Sequence, residues 1–245
     1  MNRKIIESYR DLTSEHLDCQ RVDGILTILL NRPAKANALS SEMLKGLIAM
    51  LVMARDDPEI KVVVVTGAGE RAFSGGADLA EMQAAEQDSA FADEYFALWE
   101  DTVNTLMDFP LPTVALVNGA CVAGGLSLAL ACDVRIALDN AFLSYPRVAE
   151  GHLPGRHNLT QLVKLVGKSR AKLVMVFGYR VHAREAQNWG LVDTVLDSPD
   201  DMQGILEPLC QGNRELLVTT KKLIQNPGDD DAWAAAGNIS IENDD

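Results

Sequence analysis

Short apolar runs alternate with longer amphipathic stretches along most of this chain. Ile25–Leu30 is an apolar run ending at Asn31-Arg32-Pro33, which reads as a strand stopped by proline. Ser40 or Ser41 then caps a helix in which Met43, Leu44, Leu47, Ile48, Leu51 and Val52 recur at helical spacing, closed by Asp56-Asp57-Pro58. Residues 62–66 are apolar on both faces, so they belong in the middle of a sheet covered by helices. The alternation continues with a helix over 91–107, a buried strand at Thr113–Val117, a small-residue helix over 126–131 and a short strand over 134–137. A loop over 144–158 precedes helices over 160–166, 170–177 and Ala183–Trp189, with 191–196 extended and a polar tail after it. Such alternation predicts an α/β domain with a mainly parallel sheet. On its own, that pattern fits many functions.

Composition narrows the functions. At 245 residues, 47% of them hydrophobic, the chain can bury one sizeable core, and it shows no internal repeat or linker. The net charge of −13 opposes general affinity for nucleic acid or anionic membranes, so neither is expected as a partner. Part of that charge sits in Asp229-Asp230-Asp231 and Glu242-Asn243-Asp244-Asp245, read as solvated segments. No run approaches the roughly eighteen apolar residues of a membrane span, and the first residues lack the apolar core of a signal peptide. A cytoplasmic location is therefore expected. Cys19, Cys121, Cys132 and Cys210 have neither CxxC nor CxH spacing, which predicts buried free thiols rather than zinc ligands or disulfides.

Two glycine-rich segments carry the candidate chemistry. Phe73-Ser74-Gly75-Gly76-Ala77-Asp78-Leu79 follows the strand at 62–66. Asn118-Gly119-Ala120-Cys121-Val122-Ala123-Gly124-Gly125-Leu126 follows the strand at Thr113–Val117. Glycine lets the backbone turn sharply and leaves amide N–H groups uncovered, and at a helix start those amides lie at the positive end of the dipole. Each segment is either a tight strand–helix turn or one half of an oxyanion-binding pair of amides.

Taken together, the motifs are more specific. Leu30-Asn31-Arg32-Pro33, Lys35-Ala36-Asn37-Ala38-Leu39, Gly76-Ala77-Asp78-Leu79, Val117-Asn118-Gly119-Ala120 with Gly124-Gly125, and Ala131-Cys132-Asp133 fall in one order. Leu153-Pro154-Gly155, Val166-Gly167-Lys168 and Glu185-Ala186 with Trp189-Gly190-Leu191-Val192 continue it. The set resembles the crotonase (enoyl-CoA hydratase/isomerase) family over residues 17–222. That resemblance implies an α/β fold, a crotonase-like spiral of ββα units over residues 1–197. It also implies a C-terminal helical trimerisation region with an acidic tail over 198–245, shortened relative to the family, and a homo-trimer or hexamer. The implied substrate is an acyl-CoA or acyl-carrier thioester, with coenzyme A as part of the substrate and no permanently bound cofactor. The thioester carbonyl would sit on the backbone N–H groups of Ala77 and Gly124. The CoA moiety would run along Lys35, Ala36, Ala38, Ala77, Asp78, Leu79, Val122 and Gly124, while Arg32 and Lys35 are either phosphate contacts or solvated loop cations.

The sequence departs from the family where hydratases carry two glutamates. Those positions hold Ser127 and Arg147. Adding water to a conjugated double bond needs a positioned base and acid, and serine without a base and a protonated arginine supply neither. Glu150, His152, His157 and Tyr145 are candidate replacements in the same loop. Arg147 suits either a carboxylate-bearing acyl group or a salt bridge to Glu150. The expected activity is that of a crotonase-family lyase or isomerase working through enolate stabilisation, with Ala77, Gly124, Ser127, Arg147 and Glu150 as its catalytic candidates. Double-bond isomerisation and decarboxylation both fit. A retro-Claisen hydrolase of a diketone and a non-catalytic ligand-binding member are the alternatives. Val163, Leu165, Val166, Leu173, Val174 and Val176 are expected to leave apolar surface for assembly.

Overall fold

The computed structural model describes residue 9 and residues 12–236; the side chains of residues 149, 150, 232 and 235 lie outside that description, as does the acidic segment at 242–245. Strand β1 (Leu17–Val22) pairs antiparallel with β2 (Ile25–Leu30) across a turn at Asp23-Gly24. Helix α1 (Ser41–Asp56) follows, with the Ser40 side chain accepting a hydrogen bond from the Met43 N–H at 3.3 Å. Its buried face is Met43, Leu44, Leu47, Met50, Leu51 and Ala54, so Val52, placed on the apolar stripe by spacing, is exposed instead.

Three strand–strand–helix units then follow. β3 (Val62–Gly67) leads to β4 (Ala72–Ser74), α2 (Leu79–Gln87) and α3 (Ser89–Met107). β5 (Thr113–Val117) leads to β6 (Ala120–Val122) and α4 (Gly124–Ala131). β7 (Val134–Leu138) leads to β8 (Phe142–Ser144) and α5 (Arg156–Met175). In each unit the long strand joins one sheet and the short strand a second. The first sheet is ordered β1-β2-β3-β5-β7-β10, the last being Thr194–Leu196, and is parallel from β2 onward. The second is β4-β6-β8-β9, where β9 (Val181–His182) runs antiparallel to β8 and leads into α6 (Ala183–Trp189). These short strands and α2 escape the apolar periodicity, being too short or too weakly patterned to stand out.

β3 is buried on both faces, as its composition predicts. Val63 and Val65 join the main core, while Val62 and Val64 face a second cluster with Val114, Leu116 and Ile136. That second face is closed by α7 (Met202–Gln211) through Leu206. The segment after β10 is therefore helical, as the family resemblance implies, and not the polar tail that periodicity alone suggests. It contains α7, α8 (Arg214–Gln225) and α9 (Asp230–Ala236). Lys61 Nζ donates to the Cys210 carbonyl at 2.7 Å, and buried Lys221 donates to Asp133 at 2.6 Å and to the Leu111 carbonyl at 2.9 Å.

Three further expectations change. The helices expected at 160–166 and 170–177 form one run in α5, interrupted at Gly167 (φ 77°). Val166 and Val174 are buried in the core and expose nothing for assembly, whereas Leu173, Val176 and Phe177 are exposed. Cys121 and Cys132 are buried free thiols, but Cys19 and Cys210 are only half-buried. No helix among the described residues is long and apolar enough to cross a membrane.

Asn118, just after β5, ties this strand to the end of β3 and the loop that follows it. Its amide donates to the carbonyls of Gly67 (2.7 Å) and Gly69 (2.6 Å) and accepts from the Gly67 N–H (3.1 Å). Asn118→Ala removes three hydrogen bonds worth about 1 kcal/mol each, so we expect about 2–4 kcal/mol of lost stability. Urea unfolding should show a lowered midpoint at unchanged slope; an unchanged midpoint would contradict this role.

Candidate active site

The first glycine-rich turn is held by the loop after β2. The Gly75 N–H donates to the Ala36 carbonyl (2.7 Å), the Leu39 N–H to Gly76 (2.7 Å), and the Asp78 N–H to Leu39 (3.0 Å). The predicted CoA segments around Lys35–Ala38 and Ala77–Leu79 therefore lie side by side as a short parallel bridge. In such pairing Gly76 and Asp78 bond to Leu39, which turns the Ala77 N–H to the opposite side. Asn37, fully buried with φ 53°, fixes this loop by donating to the carbonyls of Ala68 (3.0 Å) and Ala72 (2.7 Å).

Asp78 caps α2, accepting from the Ala80 and Glu81 N–H groups at 2.9 and 3.4 Å. It also pairs with Arg32 at 2.9 Å, both side chains being about nine-tenths buried. Burial pushes the Asp78 carboxyl up, but Arg32 and the two amides outweigh it and hold the group below the usual carboxylate range. Arg32 also donates to the Ala38 carbonyl at 2.8 Å. Its charge is spent inside the loop, which removes it as a phosphate contact. Lys35, with its side chain 65% exposed and 4.0 Å from Asp78, keeps its ammonium near the surface. Leu79 is 71% exposed beside it.

The second turn packs directly on the first. Ala123 adopts φ 51°, ψ −113°, unusual for a residue with a Cβ, and Gly124 starts α4. A Cβ on Gly76 (φ 103°) would lie 2.9 Å from the Gly124 nitrogen and 3.1 Å from the Val122 carbonyl, so only glycine fits there. Among the described residues neither the Ala77 nor the Gly124 amide donates a hydrogen bond. The structure thus brings together the two turns that carry them.

Ser127 lies one turn into α4 and is tied down. Its Oγ donates to the Ala123 carbonyl at 3.2 Å and accepts from Asn158 Nδ2 at 2.7 Å, with all three residues buried. The phenol of buried Tyr145 adjoins Asn158 and Ser127, and burial pushes its pKa up. Arg147 sits half-buried on the turn Pro146–Glu150; its charge acts on both Tyr145 and Tyr95. The Glu150 side chain lies outside the described residues. His152 points toward α2, with Nε2 3.6 Å from Glu86. His157 is held below its usual pKa by burial, partly offset by the Leu130 carbonyl, and its Nε2 has no partner.

Sequence reasoning missed Tyr95, Trp99 and Asn158. Tyr95 and Trp99 lie one turn apart on α3, and Asn158 is in the first turn of α5. The Trp99 ring covers Gly124, where an added Cβ would lie 2.6 Å from Cη2. Tyr95 belongs to a buried cluster with Met82 and Ala85 against which Ala77 and Trp99 pack. The i, i+4 aromatic pair was the available signal, but periodicity reads it only as a helix face. A cavity of about 550 Å³ opens elsewhere, at the ends of β3, β5 and β7, lined by Glu70, Asp139 and Asp197 among others. Its acidic lining does not suit an anionic ligand.

The sequence profile described as enoyl-CoA hydratase/isomerase matches residues 20–224. The chain is 38% identical over 204 residues to a putative enoyl-CoA hydratase/isomerase of Bacillus subtilis, covering 82% of this chain and 77% of that protein. It is 38% identical over 178 residues to the 2,3-dehydroadipyl-CoA hydratase of Escherichia coli, covering 73% and 68% respectively. In three dimensions it is similar to an enoyl-CoA hydratase from Bacillus anthracis (TM-score 0.86, 28% identity, 92% of each chain).

The contact between Trp99 and Gly124 makes a specific expectation. Gly124→Ala should displace the indole, shift tryptophan fluorescence and cost about 1–3 kcal/mol through overpacking. The cost should shrink when Trp99→Leu is introduced first. An equal loss in both backgrounds would mean that the ring does not limit this position.

Proposed function

The chain belongs to the enoyl-CoA hydratase/isomerase (crotonase) family, and from that premise we propose that it stabilises the enolate of an acyl-CoA thioester without hydrating enoyl groups. In this reading the thioester oxygen accepts hydrogen bonds from the Ala77 and Gly124 amides, both left unused by the protein. Negative charge develops on that oxygen as the enolate forms, and amides already oriented stabilise it without reorganising. The ammonium of Lys35 and the exposed edge at Leu79 flank the path along which the CoA moiety would lie.

One observation carries the non-hydratase part: the bonded state of Ser127. An activating base for water must have a free lone pair and a suitable pKa. Ser127 already donates its only proton to a backbone carbonyl and accepts from Asn158, and a neutral hydroxyl held in this way is too weak a base to take a proton from water. Burial raises Tyr145 above its ordinary pKa, so it stays neutral near pH 7, and a guanidinium such as that of Arg147 offers donors only. Decarboxylation then fits better than hydration, because breaking the carbon–carbon bond to carbon dioxide leaves its electron pair directly as the enolate without a base, and the enolate then takes a proton from water.

The test is loss of the conjugated absorbance of crotonyl-CoA, run beside calorimetric titration with acyl-CoA. Each missing acid or base costs about 10²–10⁴-fold, so hydration should be barely above background while acyl-CoA binds. Robust hydration would sink the proposal by showing that another group supplies the proton transfers.

A further inference from the structure

The indole of Trp99 fills the space against the second turn. A Cβ built on Gly124 would lie 2.6 Å from Cη2 of that ring, 3.1 Å from Cζ2 and 3.2 Å from Cζ3. The benzene half of the indole therefore faces the residue that carries one of the two unused amides. Trp99 also packs, together with Ala77, against the buried cluster of Met82, Ala85 and Tyr95, which brings it to the residue that carries the other. One ring thus borders both halves of the amide pair.

This ring is braced from behind. Trp99 is half-buried on α3 and packs against the main core as well as the Tyr95 cluster. One turn earlier Tyr95, 2% exposed, stacks on Phe91 with ring centroids 5.9 Å apart and meets Phe96 edge-on at 5.6 Å. Further along, α3 is anchored by the buried Val103 and Leu106. Rings packed in this way move only if their neighbours repack. The other groups near the start of α4 are polar, since Ser127, Asn158 and Tyr145 form a buried hydrogen-bonded group there. An apolar chain gains nothing by burying such groups.

We propose that Trp99 closes the acyl side of the site and restricts the substrate to short acyl groups. The inference rests on the acyl-CoA reading above and adds the substrate class, a short-chain acyl thioester. A carbonyl oxygen held by both amides sets its α-carbon against the indole. A small group lies on the ring, whereas a long chain has to displace it or turn out into water. Each methylene that enters an apolar pocket adds about fourfold to affinity, and behind this ring the added methylenes contribute nothing.

Calorimetry with propionyl-, butyryl-, hexanoyl- and octanoyl-CoA tests this. The wild-type protein should bind octanoyl-CoA no more tightly than butyryl-CoA. In Trp99→Leu the ratio of octanoyl to butyryl affinity should rise about tenfold or more, a part of the roughly 200-fold that four fully buried methylenes would give. Trp99→Phe keeps an aromatic ring against the same core, so its melting temperature should fall little, and it should raise the ratio by a smaller factor. Trp189→Leu removes an indole elsewhere, stacked on Tyr179, and should leave the ratio at its wild-type value. A wild-type preference for the longer chains, a ratio that neither Trp99 substitution raises, or an equal rise in Trp189→Leu overturns the inference and leaves the acyl-CoA reading intact. Failure of all four thioesters to bind overturns both.

Discussion

The backbone of the first glycine-rich turn lies directly against the backbone of the second, with no side chain between them. That contact is the constraint around which the site is built. A Cβ on Gly76 would press on the Gly124 nitrogen, and one on Gly125 would run into the Ser74 carbonyl. The approach is possible because β4 and β6 pair in parallel, Ala72 beside Ala120 and Ser74 beside Cys121, just beyond the paired strands β3 and β5. Asn118 secures the same junction from the side. Ala123 is held at φ 51° by a bond from its N–H to Ser144 and by the Ser127 N–H donating to its carbonyl. A conformation of that kind costs about 1–3 kcal/mol and persists only where its surroundings over-determine it.

The long elements were legible because each has to bury a face. Ile25–Leu30, α1, β3 and Thr113–Val117 follow from apolar spacing alone, and of the two candidate caps Ser40 takes the role. The second sheet was not, since strands of two or three residues carry too few positions to show an alternation. The C-terminal helices, implied by the family resemblance, escape the apolar periodicity for a different reason. Most of their surface is polar, and only residues such as Leu206 and Leu223 reach the interior.

The same division holds at the site. Ala77, Gly124, Ser127 and Arg147 were found through glycines and motif register, both of which are written in the local sequence. The committed state of Arg32 and of Ser127 was not, because Asp78 lies 46 positions and Asn158 31 positions away in the chain. Tyr95 looks like an ordinary helix residue until its unused hydroxyl is seen beside the turns. A net charge of −13 repels an anionic ligand at long range, yet screening confines that field to about 8–10 Å in salt.

Enolate chemistry at this site depends on whether the Ala77 and Gly124 amides polarise a thioester. Isotope-edited infrared spectroscopy of an acyl-CoA labelled with ¹³C at its carbonyl reads this directly, since hydrogen bonds to the oxygen weaken the C=O bond. Hydrogen bonds from both amides should shift the carbonyl stretch to lower frequency in the bound state than in water. A bound thioester whose stretch stays at or above its value in water would contradict it.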